Sequence, residues 1–212
     1  MIELKNIDIK YDGKDIFRGF DFSVGKGEKV ALLGKSGIGK STLFNLILGF
    51  VRPAAGEVIV DGVPVDEESI WDIRRRIAYV DQDVSIGDGT AAGFLHSAFQ
   101  FKANAGREFP EEQLGRLLEY FEADEALLRK NIEELSGGER QRLAIILAVL
   151  LERELFLLDE ITSALDRDLK KKTAELFAGN EGWTVMVISH DPVWVTDPRV
   201  KIYDLEKEQW KQ

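Results

Sequence analysis

Apolar and polar positions alternate from Ile2 to Val24 in two short runs, IELKNIDIKY and IFRGFDFSV, separated by the turn sequence DGKD. A period of two marks strands with one covered face, so this region is predicted to be an antiparallel β-meander. The pattern then changes. KVALLG is a compact apolar run without alternation, followed by a glycine-rich stretch and by KSTLFNLILGF, whose apolar residues recur at helical spacing. Strand, loop and helix are predicted in that order. EVIVDG and RIAYVDQ read as two further strands, the first opened by PAAG and closed by a turn.

From about Asp83 to Leu151 the texture is helical, with few β-branched runs and a loose start, IGDGTAAGFLHSAFQFKANAGREF. This segment is predicted to be a helical subdomain, about residues 84–150, inserted between strands. Strands return at ELFLLDE and TVMVISH, on either side of the helical SALDRDLKKKTAELFAG. VKIYDLEKEQWKQ is predicted to end the chain as a last strand and a polar tail. Apolar runs without alternation suit strands buried on both faces, as in a parallel sheet covered by helices. The expected fold class is α/β: a core sheet, an antiparallel β part and an inserted helical part. With no internal repeat and no low-complexity linker, residues 1–212 are read as one domain.

Composition narrows the function more than the fold. The 212 residues are 44% apolar and 31% charged, the balance of a soluble globular chain. The longest apolar run, LAIILAVLL from Leu143 to Leu151, falls well short of the ~20 residues that cross a bilayer. The N-terminus mixes acids and bases from its third residue and so lacks the form of a secretory signal. The protein is expected to stay in the cytoplasm. With no cysteine and two histidines, a disulfide framework, a thiolate metal site and a histidine cluster are all excluded. A metal would need oxygen ligands or substrate phosphates. The net charge of −10 opposes nucleic acid, and no nucleic-acid partner is expected. The basic runs Arg74 to Arg76 and Lys170 to Lys172 are read as solvated helix faces.

Chemistry enters at GKSGIGKST, which comprises Gly34, Lys35, Ser36, Gly37, Ile38, Gly39, Lys40, Ser41 and Thr42. It fits G-x-x-x-x-G-K-[ST] between a predicted strand and a predicted helix, the setting a phosphate-binding loop requires. Glycines let backbone N–H groups turn toward phosphate, and the helix N-terminus adds partial positive charge. Lys40 then supplies a point charge for β- and γ-phosphates, and Ser41 a hydroxyl for Mg²⁺. Downstream, LFLLDE sets Asp159 and Glu160 at the end of a buried strand, where acids are costly unless paired. Strand alternation sends neighbours to opposite faces, so the two share one face only if the strand has ended by Glu160. Asp159 is the natural Mg²⁺ partner, and Glu160 is placed to polarise an attacking water. A plainer reading has an acid capping the next helix.

A second glycine-rich helix entrance follows at LSGGERQRLA, where Ser136 precedes Gly137 and Gly138. It is another N-terminus able to offer N–H groups to an anion, although an ordinary N-cap is the plainer reading. Taken in order, these motifs resemble the ATP-binding cassette (ABC) family of ATPases over essentially the whole chain. The match runs through Tyr11, GKSGIGKST, Gln82 in YVDQD, LSGGERQ, LFLLDE, SALD ending at Asp166, and His190 in VISHD.

The resemblance implies a P-loop NTPase (RecA-like) core and hydrolysis of ATP with Mg²⁺. Lys40, Gln82, Glu160 and His190 are the implied catalytic residues, and Ser41, Gln82 and Asp159 the implied metal site. Tyr11 would stack on adenine. Two copies would meet head to tail, so that Ser136 and Gly138 of one close over the ATP held by the glycine-rich loop of the other; Gly137 and Asp166 are further implied nucleotide-binding residues. Asp81 stands before Gln82 where the family commonly has proline, and Ile161 follows Glu160 where proline is also common.

The function expected is that of the ATPase subunit of a transporter. It would lie on the cytoplasmic face of the membrane and dock a separate integral permease near Gln82 and the helical segment. The phenylalanines and alanines of GFLHSAFQF would line that groove or simply form helical core. The alternative is a soluble ABC ATPase acting as a regulatory or assembly module. His96 is read as an ordinary surface or packing residue.

Overall fold

The computed structural model describes residues 1–11, 13–84 and 87–211. Asp12 of the expected turn and Ile86 at the start of the loose segment lie outside the described residues. In chain order the elements are β1 (Ile2–Tyr11), β2 (Lys14–Val24), β3 (Lys29–Leu33), α1 (Lys40–Ile47), β4 (Ala55–Val60), β5 (Val63–Pro64) and α2 (Ile70–Arg74). Then come β6 (Ile77–Val80), α3 (Ala91–Gln100), α4 (Glu111–Tyr120), α5 (Ala126–Arg129), α6 (Gly137–Leu150) and β7 (Leu155–Asp159). The chain ends with α7 (Arg167–Gly179), β8 (Thr184–Ile188), α8 (Pro192–Val195), β9 (Val200–Asp204) and β10 (Gln209–Trp210).

The alternating N-terminal runs form the expected hairpin, and β4 joins β1 on its other side to give an antiparallel sheet ordered β2-β1-β4-β5. The apolar runs form the second sheet, ordered β10-β9-β3-β8-β7-β6, parallel except for its terminal hairpin. β7 and β8 are buried along their whole length, as runs without alternation require when both sheet faces are covered.

Strand parity sorts those side chains into two cores. Val30, Leu32, Ile77, Leu155, Leu157, Met186 and Ile188 pack with Leu43, Phe44 and Ile47 of α1 and with the antiparallel sheet. Ala31, Ala78, Phe156, Leu158, Val185 and Val187 pack instead with the helices α3, α4, α6 and α7. The inserted helical segment is therefore continuous with the far face of the core sheet. α6 has Leu143, Ile145, Ile146, Val149 and Leu150 all buried, so it is covered nearly all round and has no single apolar stripe.

The C-terminus departs from expectation. The residues expected as a polar tail fold back as β10 against β9, and Trp210 stacks at 5.8 Å on Phe22 and meets Tyr203 edge-on at 5.0 Å. Of the aromatic helix, Leu95, Ala98 and Phe99 are core while Phe94 is only partly buried. His96 stacks on Phe109 at 3.9 Å, the packing role expected of it. The basic runs lie at the surface as predicted: Arg74 covers the rings of Phe50 and Trp71, and Lys170 pairs with Asp191.

Candidate functional site

β3 delivers the chain into the glycine-rich loop, and α1 starts directly after it. Gly39 has φ 112°, and a Cβ there would stand 2.7 Å from Ile16 and 3.0 Å from Phe17. Only glycine permits β2 to press against the loop so closely. α1 has no side-chain cap at its N-terminus and no acid in its first turn. Its leading N–H groups and its partial positive charge are thus left for an anion. The Lys40 ammonium is held over the loop, donating to the Gly34 carbonyl at 2.6 Å and the Lys35 carbonyl at 3.1 Å. Behind the loop, Lys35 pairs with Glu206 at 2.7 Å, an exposed contact.

This loop forms one wall of a cleft of about 520 Å³, the size of a small-molecule site. Ser36, Gly37, Gly39, Lys40, Ser41 and Thr42 line it, together with Tyr11, Gln82, Asp159, Glu160 and His190. Gly34, Lys35 and Ile38 of the same loop do not line it. Tyr11 ends β1 with 72% of its surface exposed, so it is not a strand-core tyrosine. It stands as a free aromatic face at the rim of the cleft.

Parity explains the acids. Asp159 follows Leu155 and Leu157 on the α1 side of β7, and there Ser41 Oγ donates to its carboxylate at 3.0 Å. Asp159 is only 5% exposed. Burial pushes its carboxyl above the usual range, with Asp81 and Glu160 adding to the effect and Ser41 and Lys40 opposing it. Strict alternation would send Glu160 to the opposite face, but β7 has ended. Glu160 takes φ 47°, the left-handed region, and its N–H donates to the Ile188 carbonyl at 2.9 Å. That break in alternation brings both carboxylates to one cleft.

The donors gathered here suit magnesium: the Ser41 hydroxyl, the Asp159 carboxylate and the Gln82 amide are all hard oxygen ligands. A buried carboxylate whose ionisation burial disfavours is the kind of group a divalent cation stabilises. No cluster of three His, Cys, Asp or Glu occurs among the described residues, so such an ion would depend on phosphate oxygens as well.

The remaining sequence-predicted residues lie elsewhere. Ser136 caps α6: its Oγ accepts the Glu139 N–H at 3.2 Å, and the Glu139 carboxylate accepts the Ser136 N–H at 2.8 Å. That is a capping box, so the plainer N-cap reading holds for this side chain. Glu139 also receives Lys130 at 2.7 Å, and that contact with the helix cap lowers its pKa to about 2. Asp166 is likewise occupied, accepting the N–H groups of Asp168 and Leu169 at the start of α7. Gly137 lines a separate hollow with Gln82, Asp83 and Ser163. A Cβ on Gly138 would stand 3.0 Å from the Ala164 carbonyl, so glycine lets α6 approach the SALD turn. Ile16, Ser163 and Ile188 also line the cleft and were not foreseen. Their signal is absent from local sequence, because each reaches the site through pairing of distant strands or through a turn.

The profile of the family described as ABC transporter matches residues 17–163. The chain belongs to that family. Among proteins that this ABC chain is similar to is an ATP-dependent lipid A-core flippase of Aromatoleum aromaticum. The two are 37% identical over 201 residues, covering 89% of the chain and 33% of the flippase. The chain thus spans about a third of the length of the curated relatives it matches. A dimeric bacterial ABC transporter cassette of known structure is 29% identical, with a TM-score of 0.81, covering 97% of this chain and 95% of that one. A dimeric post-hydrolysis state of an ATP-binding cassette, bound to ADP and Pi, is 28% identical with the same TM-score and coverage. The fold expected from the motifs, a P-loop NTPase with an antiparallel β part and a helical insertion, is therefore the fold of this ABC cassette.

Proposed function

We propose that the chain is the ATP-hydrolysing cassette of an ABC transporter, one ATP-binding domain over residues 1–212 with a helical segment at about 84–150. It acts as a head-to-tail dimer that drives a membrane-embedded permease, which the sequence reading expects as a separate polypeptide. The observation that carries the reading is the convergence of Lys40, Ser41, Gln82, Asp159, Glu160 and His190 on one cleft beside an uncapped helix N-terminus.

On ATP binding, Lys40 releases the Gly34 and Lys35 carbonyls and takes the β- and γ-phosphates, while the first N–H groups of α1 face the same oxygens. Tyr11 stacks on the adenine. Ser41, Asp159 and Gln82 would hold magnesium, which would supply charge neutralisation to the polyphosphate. Glu160 orients a water in line with the γ-phosphorus. The water oxygen forms a bond to phosphorus as the bond to the β–γ bridging oxygen breaks, ADP leaves with that electron pair, and the water's proton passes to Glu160. His190 contacts the γ-phosphate. Most of the rate comes from positioning and from fixed charge.

Ser136, Gly137 and Gly138 lie outside the cleft of their own chain and, with Asp166, serve the nucleotide of a second copy. A dimeric cassette among the similar structures supports this. Among the described residues no helix is long and apolar enough to cross a membrane. In this reading the cassette works at the cytoplasmic face through its partner, which docks in the groove between β6 and α6 beside Gln82. The similar flippase and the similar ABC transporter cassette support this reading and not a soluble regulatory module. Steady-state turnover and nucleotide binding of Glu160→Gln test the reading. Lost turnover with retained ATP binding is expected; full turnover in this variant sinks the assignment.

A further inference from the structure

The proposed hydrolysis asks the His190 ring to reach the γ-phosphate, yet among the described residues no side-chain hydrogen bond or ion pair holds that ring. Its direction is therefore set by the backbone from Ser189 to Asp191, and that backbone is pinned on both sides. On one side the Asp191 N–H donates to Ser189 Oγ at 3.1 Å, and Ser189 is fully buried. On the other, the Asp191 carboxylate is used twice. Its Oδ1 accepts the Val193 N–H at 3.2 Å, capping α8, and its Oδ2 accepts the Lys170 ammonium at 2.7 Å.

Lys170 comes from α7, not from the strand that carries His190. α7 is a firm anchor, because Leu169, Thr173, Ala174, Phe177 and Ala178 are buried and the Lys170 N–H donates to the Asp166 carbonyl at 2.9 Å. The ion pair is also sheltered, with 27% of the Lys170 side chain and 13% of the Asp191 side chain exposed. Water and salt screen such a pair less than a fully exposed one.

We propose that Lys170 and Asp191 are positioning residues for hydrolysis, their ion pair fixing the backbone that aims His190 into the cleft. The inference rests on the γ-phosphate role proposed for His190, and it adds what sets the geometry of that residue. Neither Lys170 nor Asp191 lines the nucleotide cleft, so both act through His190. A shift of about 1 Å in a positioned group can cost about 10²-fold in rate. Nucleotide binding, carried by Lys40 and the glycine-rich loop, is spared.

The chain has two histidines, so ring NOE contacts of His190 test this by NMR, with His96 on α3 as the internal control. Lys170→Met and Asp191→Asn are each expected to change the contacts of the His190 ring in the nucleotide-free chain and to leave those of His96 in place. Asparagine still caps α8, so Asp191→Asn removes the charge alone. Lys170→Arg keeps a cation for Asp191 and should change neither ring. In steady-state turnover each neutral variant should lower kcat by about tenfold with KM within about twofold, and the double variant should lose no more than either single one, since both break the same contact. In a His190→Ala background, Lys170→Met should cost nothing further. A His190 ring whose contacts stay the same in both neutral variants overturns the positioning. Changed contacts with unchanged kcat overturn its catalytic consequence, together with the γ-phosphate role of His190. A kcat loss that persists in the His190→Ala background overturns the route through His190 and leaves the proposed hydrolysis standing.

Discussion

Ser41 Oγ donates to Asp159 Oδ2 at 3.0 Å, tying the first turn of α1 to the last residue of β7. The bond fixes the geometry of two proposed metal ligands before any ligand arrives. It also leaves Asp159 as a carboxylate only 5% exposed, which is costly to keep ionised.

Asp159→Asn keeps the shape and the Ser41 contact while removing that charge. The unliganded variant is expected to melt at a higher temperature than the parent, whereas magnesium-dependent turnover falls by about 10²-fold or more. Thermal melts and ATPase assays on the same preparation check both halves. A lower melting temperature would show that the ionised carboxylate stabilises the fold.

Among the described residues Lys40 makes hydrogen bonds only to loop carbonyls, at 2.6 and 3.1 Å, contacts that polyphosphate would replace with charge-assisted ones. Lys40→Ala should therefore weaken nucleotide binding by about 10-fold to 10²-fold, a loss of ~1.5–3 kcal/mol. Titration with a fluorescent ATP analogue measures it. Unchanged affinity would remove Lys40 from the phosphate site.

Ser136→Arg places a long cation at the entrance of α6 and deletes its N-cap. Stability should drop by about 1 kcal/mol, and ATP binding to the single chain should be near normal. ATP-dependent dimerisation of the Glu160→Gln background should disappear on size-exclusion chromatography. Dimerisation equal to the parent would exclude Ser136 from a shared nucleotide site.

Glu139 has its pKa lowered to about 2 by Lys130 and the α6 cap. A folded-state pKa below the unfolded one contributes stability that is complete above the ordinary carboxylate range and is lost as pH falls through the window from about 4.5 to about 2. Glu139→Gln keeps an oxygen for the Ser136 N–H but loses the pair with Lys130. Its urea midpoint should lie below that of the parent at pH ~7, with the gap closing toward pH ~2. A gap that stays constant with pH would remove the ion pair from the explanation.

The local motifs were readable because each is a contiguous run: strand, glycine loop and helix around Lys40, and the buried strands ending at Asp159 and near His190. Even the conflict between Asp159 and Glu160 was visible as a demand that β7 stop, and the left-handed Glu160 meets it. Partners distant in sequence were not legible. EVIVDG has the same apolar character as the core strands, yet it pairs with β1 in the other sheet. Trp210 looked like part of a polar tail because its partners, Phe22 and Tyr203, come from other strands. The N-cap roles of Ser136 and Asp166 also had to be seen, since a serine or aspartate before a helix reads the same whether its oxygen faces its own backbone or a ligand.

The two cores divided by the sheet have a consequence for how the gene can change. Leu155 and Leu157 face α1, Phe156 and Leu158 face the opposite core with the helices α6 and α7, and Asp159 reaches Ser41 only because it falls on the first series. Deleting or adding one codon within β7 would exchange the two series, bury leucines where phenylalanine fits and turn Asp159 toward the helices. β7 can therefore drift by substitution but not in length, whereas the exposed turns at Gly13 and Gly62, where a side chain would meet open space, can absorb insertions.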